Sequence, residues 1–210
     1  KLKVAPFIAS LGMQLVIYGL TSIYFDVVND SAPIGVLNQK FSNLAQGAFQ
    51  AGPVRIPYLV CYAAIAVVVV WFIWNKTTFG KNLYAVGGNP EAAAVSGIDV
   101  FRVTIMAFVM AGVLYGFGAW LECNRMVGSG SAAYGQGWDM DAIAACVVGG
   151  VSFSGGIGKI SGVVVGVTIF TALTYSLTIL GIDTNLQFVF EGLIILAAVT
   201  LDCLKYVQKK

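Results

Sequence analysis

The chain has 210 residues, of which 58% are hydrophobic and a further 25 are glycine, against 12 basic and 10 acidic residues and no histidine. With a mean hydropathy of +0.84, this is neither a disordered chain nor a water-soluble globule, which could not cover so much apolar surface. A scattered net charge of +2 offers no basic face to nucleic acid, and without histidine there is no His-based catalysis and no His-ligated metal site.

These exclusions leave an integral membrane protein. Charges punctuate its apolar runs, so the runs can be measured in chain order. The chain opens on Lys1-Leu2-Lys3 without Met or a leader pattern, so it reads as starting inside a longer protein. Val4–Phe25 is uncharged over 22 residues, and Tyr58–Trp74 over 17 residues after Pro57. Val103–Leu121 gives 19 and Ala142–Gly158 gives 17. Ile160–Ile182 gives 23, and Thr184–Leu201 gives 18 with Glu191 inside it. A helix needs about 17–25 apolar residues to cross the hydrocarbon core. The expectation is an all-α, polytopic helical bundle of about six spans, one domain over 1–210. A short interfacial helix, Phe41 to Phe49, is expected in the long connection after the first span.

One run differs. Ala142–Gly158 holds Gly149, Gly150, Gly155, Gly156 and Gly158. Paired glycines remove helix preference, so a short helix from Asp139 to about Val148 is expected, then a Gly-rich break. Irregular backbone at membrane depth survives only beside protein or a water-lined cavity.

Placing both ends in the cytoplasm puts nine basic residues inside and three outside, as the positive-inside rule requires. The acids Asp26, Asp30, Glu122, Asp139, Asp141 and Asp183 then lie outside.

Several features invite a chemical reading. Gly155-Gly156-Ile157-Gly158-Lys159-Ile160 resembles a phosphate loop but lacks the first glycine, at Phe153, and the hydroxyl, at Ile160. ATP binding by this chain is therefore not expected. Cys61, Cys123, Cys146 and Cys203 have no metal or redox spacing. Ser154, Gly158, Gly162 and Gly166 recur every fourth residue, as do Gly112 and Gly116, a spacing that lets helices approach closely in lipid. Glu191 is an acid inside a span, with Gln187 one turn before it on the same face. It is either a pathway carboxylate or a neutral, hydrogen-bonded one. Tyr115, Trp120, Tyr134, Gln136 and Trp138 suit either a sugar face or an interfacial aromatic belt.

The loop 76–101 is the most informative segment. Asn89 is a good N-cap, Pro90 suits the first helical position, and Glu91 complements the positive helix end. Gly97 can end the helix. Two turns, Pro90 to Ser96, are thus specified between flexible hinges. Their alanine surface suits insertion into another protein's groove.

The stretch Phe79-Gly80 … Gly87-Gly88-Asn89-Pro90-Glu91-Ala92-Ala93 … Ser96-Gly97-Ile98 resembles the coupling loop of ABC importer permeases for monosaccharides, the ribose/galactoside group. Met140 to Gly158 is similar to that family's other signature, and Leu201-Asp202-Cys203-Leu204-Lys205-Tyr206 and Pro6 to Gly12 fit as well. The resemblance implies an inner-membrane permease for a galactose-like sugar. It would dimerise, bind a cytoplasmic ATPase that hydrolyses the ATP, and receive sugar from a periplasmic binding protein. It implies no cofactor on this chain. It assigns ATPase coupling to Gly87, Gly88, Asn89, Pro90, Glu91, Ala92, Ala93 and Gly97. Family members carry spans before the segment matching Lys1. Rival readings are a proton-coupled transporter using Glu191, a permease for ribose or branched-chain amino acids, and a scaffold protein. Gln187, Glu191, Tyr115 and Trp120 are the pathway candidates.

Overall fold

A computed structural model describes residues 6–30, 39–51, 54–126 and 130–207. The element order is α1 (Pro6–Asn29), α2 (Gln39–Gln46), β1 (Ala48–Ala51), β2 (Val54–Pro57), α3 (Tyr58–Lys76), α4 (Thr78–Gly88), α5 (Pro90–Val95), α6 (Val100–Arg125), α7 (Trp138–Val148), α8 (Ile160–Ile179) and α9 (Thr184–Val207). The protein is an all-α, polytopic membrane protein with one small hairpin, β1 antiparallel to β2 with Phe49 opposite Ile56.

Among the described residues, α1, α3, α6 and α8 are long and apolar enough to cross a membrane. Their apolar side chains are largely exposed (Leu15, Val68, Val113 and Val165 are examples), as lipid-facing surfaces must be. The helix α9 has 24 residues, and Thr184–Ala197 is its apolar part. The helix α7 has 11 residues and rises only about 17 Å, too short to cross. The expected break is therefore present: the backbone leaves the helix at Gly149 and becomes helical again at Ile160.

Two expectations need correction. The helix after the first span is Gln39–Gln46, and Phe49 lies in β1. Gly47 ends that helix, its N–H bonded to the Asn43 carbonyl and its own carbonyl accepting from the Tyr58 N–H at 2.9 Å. The segment before Asn89 is likewise no flexible hinge, because Thr78–Gly88 is helical. Thr77 sets the corner between α3 and α4. Its hydroxyl donates to the Ile73 carbonyl at 2.6 Å and accepts from the Gly80 N–H at 3.3 Å.

The chain divides into two compact units. One comprises 1–61 and 114–136 and holds α1, α2, the hairpin and the C-terminal half of α6. The other comprises 62–113 and 137–210. In this second unit α7 packs on α8 and α9, around buried Ala144, Ala145 and Phe170, with Ile195 against them. Small residues on α7 let α8 come close. A Cβ on Gly166 would fall 2.1 Å from the Ala145 carbonyl oxygen, and one on Gly162 would fall 2.2 Å from that of Gly149. Only glycine fits at such backbone contact.

Three helices of this unit, α5, α7 and α8, end in the same motif. In α5 the Gly97 N–H reaches the Ala94 carbonyl and the Ile98 N–H reaches Ala93, both at 3.0 Å. Gly97 has φ +83°, the left-handed conformation such a stop requires.

Candidate functional site

The site begins with α5 and the cap that shapes it. The Asn89 side-chain oxygen accepts from the N–H groups of Glu91 and Ala92, both at 3.0 Å. Pro90 occupies the first turn, where its missing N–H removes nothing. Glu91 stands beside the positive helix end. Ala93 turns inward and is buried, whereas Ala92, Ala94 and Val95 are exposed, Val95 at 91%. The helix thus presents a small, apolar, capped surface. Asp99 caps the next helix, its carboxylate accepting from the Arg102 N–H at 3.0 Å.

The helix α4 packs on α5 and itself touches the Gly-rich break. The Tyr84 hydroxyl donates to the Gly158 carbonyl at 2.8 Å. Beside it, backbone at the end of α4 touches the turn at Gly155 and Gly156. A Cβ on Gly87 would lie 2.7 Å from the Gly156 nitrogen, and one on Gly155 2.7 Å from the Gly87 oxygen. A Cβ on Gly156 would lie 2.6 Å from the Gly88 α-carbon. Gly155 and Gly156 have φ +92° and +70°, so the turn needs glycine twice over. Ser152 closes the break upon itself, its N–H bonded to the Ile157 carbonyl at 2.9 Å and its hydroxyl accepting from the Ser154 N–H at 3.2 Å.

The predicted stripe of small residues therefore divides. Gly162 and Gly166 lie on α8, but Ser154 and Gly158 precede the helix, in the break. The every-fourth-residue spacing runs back into the break, where Gly155 and Gly156 adopt positive φ and no helix continues. Gly112 and Gly116 on α6 have nothing within 4 Å of a built Cβ.

Of the pathway candidates, Gln187 and Glu191 share a half-buried face of α9. The Gln187 amide donates to the Ile182 carbonyl at 2.9 Å, which ties it to the corner after α8. Glu191 lies on α9 and Asp141 on α7, two helices that pack on each other. Tyr115 and Trp120 belong to the other unit. Tyr115 is exposed, and Trp120 stacks on Phe117 with centroids 6.0 Å apart.

A second polar cluster lies in that first unit. Arg125 grips the Glu122 carboxylate and also donates to the Tyr134 hydroxyl at 3.0 Å. Tyr134 in turn donates to Glu122. Burial, and then the Glu122 carboxylate, hold the Tyr134 hydroxyl above its usual range, which keeps it a donor. Gln46 ties α2 to this cluster by donating to the Arg125 carbonyl at 3.0 Å. Among the described residues no group of His, Cys, Asp and Glu could hold a metal ion.

Sequence reasoning missed Tyr84 and the Glu122–Arg125 pair. The signal for the pair was the i, i+3 spacing of opposite charges. Tyr84 gave none, since its partner is a backbone carbonyl 74 residues away.

Comparison with known proteins supports a single family. The chain is 54% identical to the galactose/methyl galactoside import permease protein of Treponema pallidum, over 100% of this chain and 39% of the relative. It is 50% identical to the protein of the same name from Escherichia coli K12, over 100% of this chain and 62% of the relative. It is 40% identical to the ribose import permease protein of Bacillus subtilis, over 95% of this chain and 60% of the relative. The chain thus spans less than two thirds of the length of these relatives. No solved structure matches it. The model of the family described as "branched-chain amino acid transport system / permease component" matches residues 1–199, and the chain belongs to that family.

Proposed function

We propose that this chain forms part of the membrane subunit of an ATP-driven importer for galactose-like monosaccharides. The observation that carries the reading is the identity of 49–54% to import permeases named for galactose and methyl galactoside, across the whole of this chain. The identity falls to 40% for the relative named for ribose and to 35% for that named for L-arabinose. The family description names branched-chain amino acids, so leucine is the competing cargo to test.

In this reading α5, with Gly87, Gly88, Asn89, Pro90, Glu91, Ala92, Ala93 and Gly97 around it, docks into a groove of a separate cytoplasmic ATPase. ATP is bound and hydrolysed there, and the chain itself is not an enzyme. A second permease copy and a periplasmic sugar-binding protein complete the machine in the bacterial inner membrane. Both ends of this segment face the cytoplasm, which agrees with the basic residues on that side. Gln187, Glu191, Tyr115 and Trp120 are the pathway candidates.

The test is uptake in cells carrying the full permease with its ATPase and binding protein, using galactose, ribose and leucine. Galactose uptake is expected to stop on ATP depletion and to survive collapse of the proton gradient. The reverse pattern would make this a proton-coupled carrier. Glu91→Lys should lower uptake about tenfold or more, because it reverses charge at a docking contact and at a helix N-terminus. Unchanged uptake and ATPase association in that variant would remove α5 from the coupling role.

A further inference from the structure

We infer that Tyr84 is a positioning residue that latches the ATPase-docking segment to the Gly-rich break, so that movement of α4 and α5 is carried into the turn that starts α8. This deepens the reading of α5 as the docking helix and rests on it.

The latch has two parts of different character. One is a single directed bond, Tyr84 hydroxyl to Gly158 carbonyl at 2.8 Å. The other is the steric contact of Gly87 and Gly88 with Gly155 and Gly156, in which a Cβ on Gly87, Gly155 or Gly156 would strike backbone of the opposing segment within 2.8 Å. The steric contact can push but cannot pull, because touching backbones resist compression only. The hydrogen bond supplies the pull. Gly158 sits two residues before Ile160, where α8 begins, and α8 in turn touches α7 at Gly149, Gly162 and Gly166.

The space around the latch also fits a moving part. Two open clefts of about 400 and 270 Å³ flank the break, and both are lined by Tyr84 and Gly158. The break is tied within itself through Ser152, so it can shift as one piece. A glycine-rich loop bordered by open space is displaced more readily than a packed helix. A merely structural tyrosine would need none of this. Coupling between sites needs an element with two arrangements that both sites bias, and the self-tied break meets that description.

Hydrogen exchange on the assembled transporter, with and without a non-hydrolysable ATP analogue, tests the latch. In the wild type the analogue is expected to change exchange in both 90–96 and 149–159. In Tyr84→Phe the change at 90–96 should persist, while the change at 149–159 should shrink about two- to tenfold, the scale of one lost hydrogen bond. ATP hydrolysed per sugar imported should rise in the same proportion. Tyr175→Phe, which removes a hydroxyl from an exposed position on α8, should leave both readouts as in wild type. An unaltered response of 149–159 in Tyr84→Phe would overturn the latch and leave the docking role of α5 standing. No response at 90–96 in the wild type would overturn both.

Discussion

Two helices carry a Gly-x-x-x-Gly pair, and they meet different neighbours. Gly162 and Gly166 on α8 lie in backbone contact with α7, at Ala145 and Gly149. Among the described residues, nothing lies within 4 Å of a Cβ on Gly112 or Gly116 of α6. The spacing grants the ability to approach closely. Whether the approach happens depends on the opposing segment, and α7 offers Ala144, Ala145 and Gly149 where a larger side chain would hold α8 away. The contrast is between a stripe that is used within the chain and one that is left for lipid or another copy.

The strongest way to break that contrast is Gly166→Ala. The new methyl would lie 2.1 Å from the Ala145 carbonyl oxygen and 2.6 Å from the Gly149 nitrogen, and backbone cannot turn aside as a long side chain can. Separating the helices should cost about 3 kcal/mol. Unfolding in detergent, followed by loss of helical signal, should show a markedly lower Tm or no folded protein. A wild-type Tm would mean that α7 and α8 do not cross this closely.

Gly97→Ala sharpens the comparison, since it separates backbone conformation from space. Nothing lies within 4 Å of its built Cβ, but φ is +83°. The substitution should cost about 1 kcal/mol from left-handed strain alone, less than at Gly166. A loss as large as that of Gly166→Ala would show that crowding, too, acts at Gly97.

The same contrast explains what could be read from residues alone. Long uncharged runs and their charged ends placed α3, α6 and α8 to within a few residues, because burial in lipid is a property of each run by itself. The Asn89–Pro90–Glu91 cap was legible for the same reason, being local chemistry. The break after Val148 was legible through paired glycines. The helix α4 was not, because Gly80, Gly87 and Gly88 weaken it in isolation and its support comes from elsewhere. Gly80 is buried where a Cβ would strike the Trp74 carbonyl, and Tyr84 is held by Gly158. The hairpin went unread although Gly52-Pro53 stands between two short runs able to form strands. Within the candidate site, the cap was visible and the latch was not, because Tyr84 and Gly158 are joined only by the tertiary fold.

The smallest effect belongs to Gly112→Ala. The position is exposed on a regular helix, with nothing within 4 Å of the added methyl. Alanine is favoured over glycine in a helix interior by about 1 kcal/mol. The isolated chain should therefore unfold at the same temperature or slightly higher, the opposite sign to Gly166→Ala. If the assembled transporter loses stability while the single chain does not, the open stripe on α6 is a seam between subunits. If neither changes for the worse, lipid covers it, because a methyl group displaces only acyl chain there. The sign of the change in the single chain tests the packing contrast, and the difference between chain and assembly identifies what lies against α6.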